Sequence, residues 1–160
     1  MKLYLVQTGE ALPKETTDFE RPLSPQGRRG IERMASLLSG AKMEAKRVIH
    51  SGAVRAQQTL EILEWAAAPS RPSPEACQGL GPEDPVEPWI QEIEAWTEDA
   101  VIVCHHPFVG RLASRLVAGQ DAPEIFSFVP GTALSLEKRA DGWSICWMIP
   151  PAAVAGLGRY

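Results

Sequence analysis

The stretch LVQTGEA near the N-terminus places an amide, Gln7, and a hydroxyl, Thr8, directly after an apolar, β-prone run and before Gly9. Strands that empty into a glycine turn deliver side chains to the rim of a sheet, where α/β proteins bind ligands. Two further strand ends carry reactive residue types: His50-Ser51-Gly52, leading to Arg55, and Cys104-His105-His106-Pro107. Arg55 falls in the first turn of the following helix, where a cation opposes the helix dipole by roughly 0.3–1 kcal/mol. Either it is an exposed arginine on a frayed turn, or its guanidinium is aimed at an oxyanion that it grips bidentately. Cys104-His105-His106 does not suit a metal, because neighbouring residues leaving a strand point to opposite faces. One histidine is expected to face a site and the other core or solvent, with Pro107 biasing His106 to an extended backbone. His50 reads as a capped or partly exposed histidine at a strand end.

Three strand–turn–helix units must hold these residues. Leu3 to Val6 lacks polar alternation, as expected of a strand buried on both faces. A loop with Pro13 and the polar run Lys14 to Glu20 follows. Ser24 is a good N-cap and Pro25 fits the first helical position. Ile31, Met34, Ala35 and Leu38 then mark one apolar helix face, and Gly40 is a natural C-cap. Arg47 to His50 is a short strand, after which Ser51 is expected to cap a helix with Ala56, Leu60, Leu63 and Ala67 inside. Six prolines from Pro69 to Pro88 rule out regular structure over most of that stretch, a surface excursion. Asp84-Pro85 restarts a helix through Trp89, Ile93 and Trp96. Val101 to Cys104 is a third buried strand, followed by a helix lined by Val109, Leu112, Ala113 and Leu116. TALSLEKR and GWSICWMI, parted by Ala140-Asp141-Gly142, form a hairpin. Alternation of strands and helices closed by a hairpin predicts an α/β layered fold with a largely parallel sheet.

The 160 residues suit one domain with a substantial core. A net charge of −4 argues against a general nucleic-acid binder but leaves room for a local basic pocket. Cys77, Cys104 and Cys146 are odd in number and widely spaced, which suggests neither a disulfide framework nor a zinc knuckle. Cys104 and Cys146 read as small buried hydrophobes, and a reducing cytoplasmic setting fits best. The apolar run at the N-terminus is too short for a signal peptide, and none approaches a membrane span. Of the five tryptophans, Trp89 and Trp96 recur at helical spacing, and Trp143 and Trp147 alternate in the hairpin. They read as core or half-buried.

MKLYLVQTGEA, FERPLSPQG, SGAVRAQQT and VCHHPFVG, in that order and spacing, resemble the blocks of the histidine phosphatase superfamily. Their short span and RPLSPQG are similar to its SixA-like branch, the small phosphohistidine phosphatases. The resemblance implies a single phosphoglycerate mutase-like domain over 1–160, a three-layer α/β/α sandwich. It implies a nucleophilic histidine in an Arg-His-Gly hallmark, two arginines and a second histidine on the phosphoryl oxygens, and no metal or other cofactor. It implies that Arg55 is the second phosphate-binding arginine, His105 the second histidine and Gly9 the hallmark glycine. Arg21 would stand near the mouth of the pocket. The hallmark arginine, however, is Gln7 and the nucleophile position is Thr8, while Ser51-Gly52 replaces the usual Ser-Pro.

Phosphoryl transfer depends on positioning and charge, and one central cation is gone with Gln7. A threonine hydroxyl is a poor nucleophile unless a base or metal activates it. The expectation is therefore a pocket for a phosphate-like anion, carried by a phosphohistidine-containing signalling or carrier protein, without efficient turnover. The alternatives are an active phosphatase in which His105 or His106 substitutes as nucleophile or His105 activates Thr8, and an interaction domain whose pocket is vestigial.

Overall fold

In a computed structural model, the structure describes residues 1–13 and 17–156. Positions 14–16 of the expected polar loop, and the last four of the expected domain, lie outside the described residues. The strands are β1 (Lys2–Gln7), β2 (Arg47–His50), β3 (Glu75–Ala76), β4 (Ala100–Cys104), β5 (Ala133–Arg139) and β6 (Gly142–Ile149). The helices are α1 (Pro25–Leu38), α2 (Val54–Ala67), α3 (Glu87–Glu94), α4 (Phe108–Ala118) and the short α5 (Pro151–Val154). One sheet has the order β3-β2-β4-β1-β5-β6. β1 to β4 pair in parallel, and β5 and β6 add antiparallel at one edge.

Strand pleating divides the core in two. Leu3, Leu5, Ile49 and Ile102 pack with α3 and α4, whereas Tyr4, Val6, Val48, Val101 and Val103 pack with α1 and α2. Each side chain so removed from water contributes about 1.5–3 kcal/mol. Both faces of the central strands are covered, which is the three-layer α/β/α arrangement of the phosphoglycerate mutase-like fold. Ser24 caps α1 by accepting a hydrogen bond from the Gly27 amide at 2.9 Å, with Pro25 in first place.

Several local expectations give way. α1 passes through a 3-10 turn, Ser39–Ala41, and the left-handed residue after it is Lys42, not Gly40. α2 starts later than its serine suggests: Ala53 holds the N-cap position, and Ser51 instead accepts from the Ala53 amide at 3.3 Å. The proline-rich stretch contributes β3, because a short pairing with β2 satisfies edge groups that would otherwise face water. Leu80 within it is fully buried. α3 spans only Glu87–Glu94, so Trp96 lies beyond its end and is only partly buried against the core. A register shift between Ser135 and Leu136 leaves Cys146 bulged and exposed. The same bulge reverses the pleat, so Trp143 packs with α3 and α4 while Trp147 packs on the opposite face.

Candidate anion site at the carboxyl ends of the strands

The ends of β1, β2 and β4 converge. Gln7 pairs with Cys104 in the β1–β4 register, and the Thr8 amide donates to the Cys104 carbonyl at 3.0 Å. The Gly131 amide donates to the carbonyls of both Gln7 and Thr8, at 3.1 and 3.0 Å. The Gly9 amide donates to Thr59 Oγ1 at 3.2 Å, and the Thr59 hydroxyl donates to the Arg55 carbonyl at 2.7 Å. The first turn of α2 is thereby tied to the β1 corner. Gly9 serves packing: a Cβ there would stand 2.9 Å from Leu23 Cδ2 and 3.0 Å from Ile31 Cγ1.

Gln7, Thr8, Arg55 and His105 are all buried polar residues. Arg55 is 8% exposed, which removes the frayed-turn alternative. Its Nη1 donates to the Asp18 carbonyl at 2.6 Å and its Nη2 to Asp18 Oδ2 at 3.0 Å. Asp18 sits on a 3-10 turn, Asp18–Glu20, a strap that these bonds tie to the start of α2. Arg21 donates from Nη1 to Asp18 Oδ1 at 3.0 Å and from Nε to the Leu12 carbonyl at 2.9 Å. One carboxylate thus holds both candidate arginines. Burial pushes the Asp18 carboxyl up, but the hydrogen bonds from Arg21 and Arg55 outweigh it and hold it below its ordinary range.

His105 Nε2 lies 2.6 Å from Ser51 Oγ. Burial, reinforced by the Arg55 charge and opposed by Asp18, pushes its pKa down to about 4, so the ring is neutral over most of the accessible range. His50 is buried rather than partly exposed; its Nδ1 accepts from the Gly52 amide at 3.1 Å, and burial lowers its pKa. Gly52 has φ +90, which no proline can adopt. The departure from Ser-Pro is therefore a backbone change that frees an N–H for His50. His106 points outward, with its Nδ1 4.0 Å from Glu124 Oε1.

Neither α2 nor α4 has a side-chain cap; in their first turns the Ala56 and Val109 amides donate to the Ala53 and His105 carbonyls, and the positive ends of both helices point to this end of the sheet. Among the described residues no group of three or more His, Cys, Asp and Glu is placed to hold a metal ion. A hollow of about 340 Å³ on the far side of Gly9, lined by Glu10, Gly27, Arg33, Gly131 and Pro151, holds neither histidine nor Arg55. Asp18 and Ser51 are the site residues that sequence reasoning missed as partners. Asp18 three residues before Arg21 was the available signal, since such spacing brings charges together in a helical turn.

An α/β/α sandwich with a buried arginine, a neutral histidine and two uncapped helices at its strand ends has the donors that an oxyanion would need. No family model matches the chain. It is 30% identical over 156 residues, 94% of each chain, to the phosphohistidine phosphatase SixA of Escherichia coli. It superposes on the structure of the protein histidine phosphatase SixA complexed with tungstate at a TM-score of 0.81, with 26% identity over 95% of this chain and 98% of that one. The α-ribazole phosphatase of Shigella flexneri shares the fold at a TM-score of 0.75 and 14% identity, over 94% of this chain and 97% of that one. The chain belongs to the histidine phosphatase superfamily, in its SixA-like branch.

Proposed function

We propose that this SixA-like domain binds a phosphoryl group on a partner protein and does not turn it over efficiently. The observation that carries the reading is Thr8. It occupies the nucleophile corner, its backbone bonds Cys104 and Gly131, and the ring of His105, after β4, spends its Nε2 on Ser51. Removing a nucleophile costs on the order of 10⁶ in rate in another hydrolase, about 8 kcal/mol of transition-state stabilisation. Arg55, Arg21, His105 and the two helix ends still supply donors for an oxyanion. Tungstate, the ligand of the solved SixA, is such an ion. A protein-borne ligand suits the rim, where Leu12, Phe19, Ile125 and Val129 are exposed apolar side chains on the loops at this end of the sheet.

Calorimetric titration with phosphate and with a phosphohistidine-bearing carrier protein tests this. Binding is expected, weakened at least about tenfold in Arg55→Ala, as loss of a charge-assisted pair predicts. Absence of binding, or indifference to Arg55→Ala, ends the reading. Release of phosphate from the carrier should stay at background in the wild type. Gln7→Arg combined with Thr8→His should raise it.

A second reading has one observation behind it. Glu124 faces His106 Nδ1 while the ring is half exposed, an arrangement that leaves Nε2 free as a substitute nucleophile. Turnover well above background that disappears in His106→Ala, and not in Thr8→Ala, would establish it.

A further inference from the structure

Among the described residues, two buried side-chain polar atoms lack a hydrogen-bond partner: Gln7 Oε1 and His105 Nδ1. Both residues are more than nine-tenths buried, and both stand at the convergence of β1 and β4. Such orphans are rare in folded proteins, and a ligand is one way to satisfy them. Their chemistry is complementary. Gln7 Oε1 can only accept. His105 Nε2 and Ser51 Oγ share one hydrogen bond whose direction follows the ring tautomer, and the Ala53 amide also donates to Ser51 Oγ. When the serine hydroxyl donates to Nε2, the neutral ring carries its proton on Nδ1, a donor without an acceptor.

Building on the phosphoryl-binding reading, we propose that the pocket selects a monoprotonated phosphoryl group over a fully deprotonated oxyanion. A P–OH answers the orphaned Gln7 oxygen, and a neighbouring phosphoryl oxygen answers His105. The charges agree. Arg55 and Arg21 share the Asp18 carboxylate, so the trio offers a single net positive charge. An acceptor facing a bare oxyanion is repelled, whereas the same acceptor facing a P–OH is satisfied.

Phenyl phosphate and phenyl sulfate separate this from simple charge recognition. A phosphate monoester loses its second proton at about pH 6. At about pH 5 both ligands are monoanions of nearly the same shape, and phenyl phosphate alone carries a donor. The groups around the site are Asp18 and Arg21 on the strap, Arg55 on α2, His50 at the end of β2, His105 and His106 after β4, and Glu124 against His106. Any change in their charge acts on both ligands, so the ratio of affinities reports the ligand proton. Phenyl phosphate is expected to bind at least about tenfold tighter than phenyl sulfate at about pH 5, with the advantage shrinking by about pH 8. Gln7→Met, which keeps the length and removes the acceptor, should erase the advantage; Gln7→Arg should favour the dianion. Equal binding at about pH 5, a ratio that rises with pH, or an advantage retained in folded Gln7→Met overturns the proposal. If neither ligand binds at either pH, the phosphoryl-binding reading falls first. Should both variants fail to fold, the wild-type ratio still decides.

Discussion

His105 illustrates how a single residue couples site and stability. Its folded pKa of about 4 lies below the ordinary 6.5, so between those values the unfolded chain holds a proton that the folded chain refuses. Stability is then expected to fall as pH drops from about 6.5 toward about 4, by on the order of 3 kcal/mol at 1.36 kcal/mol per pKa unit. His50, also held low by burial, contributes in the same direction. Asp18 adds to the loss only below the ordinary carboxylate range, because its carboxyl is held low by its arginines. Urea melts across this window check the slope, and His105→Gln should flatten it. A flat wild-type curve would contradict the burial argument. Nothing local in CHHP distinguishes the ring that is buried from the one that is exposed. The tertiary path of the chain after β4 makes that choice.

At the scale of elements, two close approaches hold the corner. A Cβ on Gly27, in the first turn of α1, would collide with the Glu10 carbonyl oxygen, where backbone cannot yield. Gly27→Ala is therefore expected to destabilise by about 1–3 kcal/mol or more in denaturant titration. The second is the β2–α2 corner, where Gly52 at φ +90 donates to His50 and lies against Phe19. Gly52→Pro fixes φ near −65° and deletes that donor, so it should lower stability and loosen the strap even though it restores the family's usual residue. The restoration of Gln7→Arg and Thr8→His is for that reason best made with Gly52 intact. Protection of the His50–Ala53 amides from hydrogen exchange would report a disturbed corner directly. Helices and strands here were legible because their apolar periods are strong: Ile31, Met34, Ala35 and Leu38 are buried as their spacing requires. The ends were less legible, because caps depend on neighbours; Ser51 turned to His105 rather than to its own helix.

Over the whole molecule, three parallel strands bring residues more than forty positions apart to one rim, while the hairpin β5–β6 completes the sheet beside β1, with the turn into β5 holding the Gln7–Thr8 backbone. No helix among the described residues is long and apolar enough to cross a membrane. The order of blocks along the chain, the apolar strands and the amphipathic helices determined the fold class, the family likeness and the identity of Gln7, Thr8, Arg55 and His105 as the residues to watch. These are properties of local periodicity and of residue type, which a linear chain displays. What required tertiary structure is who meets whom: Asp18 bridging Arg21 and Arg55, Ser51 engaging His105, Cys146 turned outward by a bulge, and two orphaned polar atoms where β1 and β4 end. Those contacts depend on strand order and on close packing between distant segments, and free energy of that kind is not written in any short stretch of sequence.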